Sequence, residues 1–201
     1  GTGKGFAYQE FLDQLGAFLG PVILFVIAAI KGTGDLFSTY RLSFAVLGIP
    51  ALITIALVVL AKVKYPHPEM FEKAADAPTE FHTQKSFVLY MAAICLFAFG
   101  FADFTLITLH AARTEAFPTS TLSLLYAAAM AVDAFAALFF GWLFDKIGLR
   151  ALMLSTLCSA FFSCFIFLTG EPVLMGVGIV LWGVGMGAQE SIMKAAVSRI
   201  V

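Results

Sequence analysis

Charge is what this sequence has least of. Asp, Glu, Lys and Arg make up 12% of its 201 residues, about half the share of an ordinary soluble domain, which argues against a water-soluble globule. Neither sign is in excess, with a net charge of -1, and no basic stripe is present, so no nucleic-acid partner is expected. Cysteine is scarce and unpaired in pattern. Cys95, Cys158 and Cys164 lie in apolar runs without a C-x-x-C spacing, so neither structural disulfides nor a metal site is expected. His67, His82 and His110 are far apart in sequence. The motifs H-E-x-x-H, G-x-S-x-G and G-x-x-x-x-G-K-[ST] are missing. Catalytic residues and cofactors are therefore not expected, and nor is ATP-driven work by this chain alone. The chain opens Gly-Thr-Gly-Lys with no signal-peptide pattern and ends at Val201 beyond an apolar segment. Both ends read as cuts, so a fragment of a longer protein is expected.

What the chain does have is apolar length. Hydrophobic types reach 61% and the mean hydropathy is +0.95. A helix needs about 20 apolar residues to cross hydrocarbon. Six segments qualify, at roughly 8–30, 41–62, 86–109, 120–144, 151–169 and 172–190. The last two are the shortest and so the first candidates for a buried or re-entrant helix. The runs are too uniformly apolar for the alternating strands of a barrel. The expected fold class is all-α, a polytopic transmembrane helical bundle of six spans.

The connections differ in charge. Lys4, Lys62, Lys64, Lys73, Lys85, Lys146, Arg150, Lys194 and Arg199 fall on one side of the alternation, and Lys31, Arg41 and Arg113 on the other. The positive-inside rule places the first set, and both ends of the chain, in the cytoplasm. The longest loop, Val63–Lys85, carries Pro66, Pro68 and Pro78 and reads as a linker. One reading of Glu69–Ala77 within it is an interfacial amphipathic helix.

Ionisable groups inside a membrane helix are expensive and default to functional candidates. The second and fifth spans have none between Leu42 and Ala61 and between Ala151 and Leu168 and look fit to face lipid on all sides. Asp133 lies near the middle of the fourth span, on one face with Tyr126 and Phe140. A lone carboxylate at that depth is protonated, paired, or open to a water-filled cavity, and either reversible proton binding or a hydrogen bond to a neighbouring helix would account for it. Asp103 shares a face with His110 in the third span, as a relay, a substrate contact or an outer polar cluster. Glu10 and Asp13 share a face at i, i+3, near enough to the cytoplasm for a solvated or gating role. Gly16, Gly20 and Pro21 follow, with spacing that permits close helix approach and a kink. In the sixth span Gly178, Trp182, Gly185 and Gln189 form one stripe, thinned further by Gly176, Gly183 and Gly187. Trp182 either stacks on a substrate or packs the interior.

The run Gly141-Trp142-Leu143-Phe144-Asp145-Lys146-Ile147-Gly148-Leu149-Arg150 is a tight charged turn between two spans. Its pattern, G-x-L-x-D-K-x-G-x-R, resembles the cytoplasmic loop motif of the major facilitator superfamily of transporters. The motif follows the second helix of that family and recurs after the eighth. With a long charged loop two spans upstream, the resemblance aligns these spans with family helices five to ten, a partial version of the fold. Residues 1–62 would be the last two helices of the N-terminal half, 63–85 the central cytoplasmic loop, and 86–201 the first four helices of the C-terminal half. Gly16-x-x-x-Gly20-Pro21 resembles the core of the antiporters' fifth-helix motif. It departs where Leu24-Phe25 replaces Gly-Gly and Ala7 replaces a glycine, which speaks against drug export.

The resemblance implies a secondary transporter in a plasma membrane, moving a small solute by alternating access, with protons as candidate coupling ions. Its partners would be the lipid bilayer and the rest of the same transporter chain. Asp103, Asp133, Tyr126, Trp182 and Gln189 would be solute or proton contacts. Carried over from the family, Asp145 would face the helix N-terminus near Gly5–Tyr8. Lys146 or Arg150 would pair with Glu190, latching the inward end shut, with Gly141 and Gly148 shaping the turn. The alternative is a non-transporting scaffold or sensor that reuses the fold. A membrane-embedded enzyme lacks its motifs here.

Overall fold

The apolar runs do become helices, but two of them are broken and one is longer than hydropathy suggests. A computed structural model describes residues 2–32, 36–67, 85–118 and 121–200. The helices among them are α1 (Thr2–Lys31), α2 (Leu36–Lys64), α3 (Lys85–Gly100), α4 (Phe104–Arg113), α5 (Leu122–Ile147), α6 (Arg150–Ser159), α7 (Phe162–Phe167) and α8 (Pro172–Ile200). Taken with the pairs α3–α4 and α6–α7, they supply six segments long and apolar enough to cross a membrane. The Glu69–Ala77 helix and most of the 63–85 linker lie outside the described residues.

The third span is interrupted. α3 ends at Gly100, and Asp103 caps α4 by accepting a hydrogen bond from the Thr105 backbone N–H at 2.7 Å. An Asp at this position satisfies an amide that has no partner within the helix. The fifth span bends between α6 and α7, where Ser155, Thr156 and Ser159 hydroxyls bond back to carbonyls three or four residues earlier, a habit that bends helices. The sixth span does not stop at residue 190. α8 continues through it to Ile200.

The chain divides into two compact units, Gly1–Phe25 with Gln84–Val201, and Val26–Thr83. The division cuts α1. In the larger unit α8 is the hub, packed by α5, α6, α7 and α3, while α4 lies against α5. Two apolar clusters flank the middle of the α5–α8 pair. One joins Ile107 and Phe104 of α4, Met130 of α5, Phe162 and Ile166 of α7, and Ile179 and Trp182 of α8. The other joins Tyr90 of α3, Phe140 and Phe144 of α5, Ala151 of α6, and Ile192 of α8. Between them, glycine lets the backbones meet: a Cβ on Gly187 would stand 2.1 Å from the Asp133 carbonyl oxygen.

In the smaller unit, α2 exposes its aliphatic side chains all round, among them Ile49, Leu52, Ile53, Leu57 and Leu60. Such a surface agrees with the uncharged composition of the span between Leu42 and Ala61. The fifth span behaves differently from the expectation of lipid on all sides. Ala151, Ser155, Ser159, Phe162 and Ile166 are buried, and α6 and α7 both pack on α8. An uncharged helix can still present a stripe of small residues to a neighbour.

Candidate functional site

The turn between α5 and α6 is built by glycine at both ends. Gly148 takes a left-handed φ of 62° and its N–H closes α5 on the Phe144 carbonyl at 2.8 Å. Arg150 then opens α6 at once. Gly141 serves a different purpose. A Cβ there would lie 2.4 Å from the Ala7 Cβ and 2.8 Å from the Gly3 carbonyl oxygen, so the start of α1 runs against α5 backbone to backbone. That approach brings the α1 N-terminus to Asp145. The carboxylate accepts from the Gly3 N–H (Oδ1, 3.0 Å) and the Lys4 N–H (Oδ2, 3.0 Å). An anion on the free amides of a helix start is favoured by hydrogen bonding and by the helix dipole. The contact falls on residues 3 and 4, earlier than the Gly5–Tyr8 stretch the motif suggests, where Gly3 and Gly141 let the two backbones meet. Lys146 lies over the Trp142 ring, 3.8 Å from its centroid.

Glu190 makes a different set of contacts from those carried over. Neither Lys146 nor Arg150 bonds it among the described residues. Instead Gln14 Nε2 donates to Glu190 Oε2 and to Glu10 Oε1, each at 3.0 Å, and Lys194 Nζ bonds Glu10 Oε2 at 2.9 Å. Glu10 is 2% exposed, which corrects the solvated position expected for it: it lies more than two turns inside α1. Asp13 remains exposed. Asp133 is fully buried, and neither of its carboxylate oxygens has a hydrogen-bond partner. Carboxylate oxygens of Glu10, Asp133 and Glu190 all lie within 4.8 Å of one another.

Beside this cluster is a cavity of about 1220 Å³ whose lining includes Asp13, Asp103, Tyr126, Asp133, Trp182, Gln189 and Glu190. The expected site residues therefore line the same cavity. Their local roles differ. Asp103 is a helix cap. Trp182 is packed between Phe101 and Phe104, with ring centroids 5.7 and 5.0 Å away, and its Nε1 donates to the Ala102 carbonyl at 2.8 Å, satisfying an oxygen freed by the helix break. Tyr126 meets Phe104 edge-on. Gln189 is buried with Nε2 unpartnered. His110 packs against Phe167 at 5.0 Å, while the Asp103 carboxylate is engaged at Thr105. Nothing among the described residues comes within 4 Å of a Cβ placed at Gly16 or Gly20.

Comparison with known proteins matches the family profile described as Major Facilitator Superfamily to residues 2–201. The chain belongs to that superfamily. Uncharacterized proteins of Mycobacterium tuberculosis and Mycobacterium bovis are each 30% identical to it over 207 residues, covering 100% of this chain and 49% of theirs. The chain thus spans about half the length of the curated relatives it matches. No solved structure matches it significantly. As a major facilitator chain with six segments long and apolar enough to cross a membrane, it is an integral membrane protein.

Sequence reasoning missed Gln14 and Lys194, and it misplaced Glu10. A signal for them existed. Glu10 and Gln14 are four apart on α1, and Glu190 and Lys194 are four apart on α8, so each helix presents a two-residue polar face. What could not be read was that these faces meet.

Proposed function

We propose that the chain forms part of a secondary transporter that moves a small solute by alternating access, with protons as the coupling ion. The observation that carries this reading is Asp145 seated on the Gly3 and Lys4 amides. It pins the start of α1 to the end of α5, the two helices that further along line a cavity with Asp13 and Asp133. Residues 1–62 would close the N-terminal half, 63–85 would form the central cytoplasmic loop, and 86–201 would open the C-terminal half. The missing helices would come from the rest of the chain and would cover faces such as Gly16, Gly20 and Pro21. In this reading both ends of the segment are cytoplasmic, in the plasma membrane, and the Asp145 contact holds the inward end closed.

Asp133, Tyr126, Gln189 and Asp103 would contact solute or protons, with Trp182 as a packed wall. Among the described residues the cavity lining includes four carboxylates and no Lys, Arg or His, which disfavours anionic solutes and suits a neutral or cationic one. Asp145→Asn in the full-length protein tests the gate. An anion at a helix N-terminus is worth about 0.3–2 kcal/mol. The substitution should therefore raise labelling of a single cavity cysteine from the cytoplasmic side about twofold to thirtyfold, with a matching fall from outside. Accessibility unchanged on both sides, together with no solute flux in proteoliposomes, would favour the scaffold or sensor reading.

A further inference from the structure

The three carboxylates at the α1–α5–α8 junction have more negative charge than their surroundings answer. Glu10 and Asp133 are buried and Glu190 is half-buried. Among the described residues Lys194 is the cation bonded to the group, and it reaches Glu10. With all three acids ionised, two negative charges stay uncompensated in a region that the spans place within the membrane. Isolated buried charge is strongly unfavourable, so the group must take up positive charge from outside.

Geometry favours one source. The three carboxylates each bring an oxygen to within 4.8 Å of the others, the spread expected of ligands around one ion at metal–oxygen distances of about 2.3–2.6 Å. Both Asp133 oxygens lack a partner. Gln14, outside the acidic trio, provides an independent sign. It is 6% exposed, its amide sits between Glu10 and Glu190, and its Oε1 has no hydrogen-bond partner. A half-turn of that amide on ion binding would give up its two hydrogen bonds to Glu10 and Glu190 and bring the unpartnered oxygen toward the ion in place of the nitrogen. The donor set is then wholly oxygen, with no His or Cys, which selects hard cations over zinc or copper.

We propose that Glu10, Asp133, Glu190 and the Gln14 amide oxygen form a binding site for a hard divalent cation of the size of calcium. The site does not depend on the transport reading. A divalent ion would neutralise the two uncompensated charges in one step and tie α1 to the α5–α8 pair.

The test is binding of radioactive Ca²⁺ to the purified full-length protein, with Mg²⁺ and Na⁺ as competitors. Saturable binding of one ion per chain is expected, competed better by Ca²⁺ than by Mg²⁺, with a cation-dependent rise in melting temperature. Glu10→Gln, Asp133→Asn and Glu190→Gln should each weaken binding at least about tenfold, since each removes a charged ligand from a small set. Glu171→Gln, an exposed carboxylate outside both the cavity and the cluster, should bind as the native protein does. These amide variants keep side-chain size, and the calcium dependence of melting is read on the native protein alone, so a misfolded variant would not mask the answer. Absence of saturable binding by about 10 mM, beyond the range of weak protein sites, would overturn the proposal and assign the neutralising charge to protons. Native-like binding by Asp133→Asn would overturn it as well. A protein that binds calcium yet moves no solute would keep this site and sink the transport reading, and the reverse result would do the opposite.

Discussion

At the scale of single residues, the larger unit depends on places where a side chain is missing. Gly187 lets α8 lie against the backbone of Asp133, where a Cβ would meet the carbonyl oxygen at 2.1 Å. Gly187→Ala must push α5 and α8 apart, and overpacking of this kind costs about 1–3 kcal/mol. A lower melting temperature of the full-length protein in detergent is the expected result. Gly176→Ala, on the same helix about three turns away with nothing within 4 Å of its Cβ, is the matched control. It should leave melting unchanged or raise it slightly, because alanine is the better helix former. If both variants melt alike, the close approach at Asp133 is not limiting. The same displacement would also disturb the Asp133 carboxylate, since the added carbon would lie 2.7 Å from its Oδ1.

At the scale of elements, the break in the third span decides what Asp103 is for. Its carboxylate caps α4 and also lines the cavity. Two substitutions separate those roles. Serine caps about as well as aspartate and alanine does not, so Asp103→Ala should cost about 0.5–2 kcal/mol of stability while Asp103→Ser costs little. Solute flux that falls equally in both would assign the charge to the solute, whereas flux that follows stability would leave only the cap. The six spans themselves were legible, because length and hydropathy report directly on the cost of burying backbone and charge in lipid. The break was not, since Gly100-Phe101-Ala102 reads as apolar as its neighbours and its freed carbonyl is satisfied from afar by Trp182. Nor was the length of α8. Glu190 and Lys194 look like a helix end when read alone, and are tolerated inside because Gln14 and Glu10 of α1 meet them. The loop from Gly141 to Arg150 was legible as a motif, but the reason for its first glycine was not. That reason lies 134 residues upstream in the chain, at Ala7.

At the scale of the whole molecule, exposure has to be read against lipid rather than water. Cys95, Cys158 and Cys164 are free and exposed, and all three lie on membrane-crossing segments. A membrane-impermeant maleimide should therefore leave them unlabelled in intact membranes and modify all three after denaturation, since reaction needs a water-accessible thiolate. Labelling of any one in intact membranes would show that its helix faces an aqueous path. Where the start of α1 meets α5, the backbones of Gly3 and Gly141 touch directly, and that contact, unlike the Asp145 side chain beside it, cannot stretch or re-orient to follow a small separation. Opening a gap of about 0.5–1 Å already forfeits a quarter to a half of such a contact. The junction therefore behaves as a detent rather than a spring: it holds at full strength or it lets go, and motion across it should come in clicks.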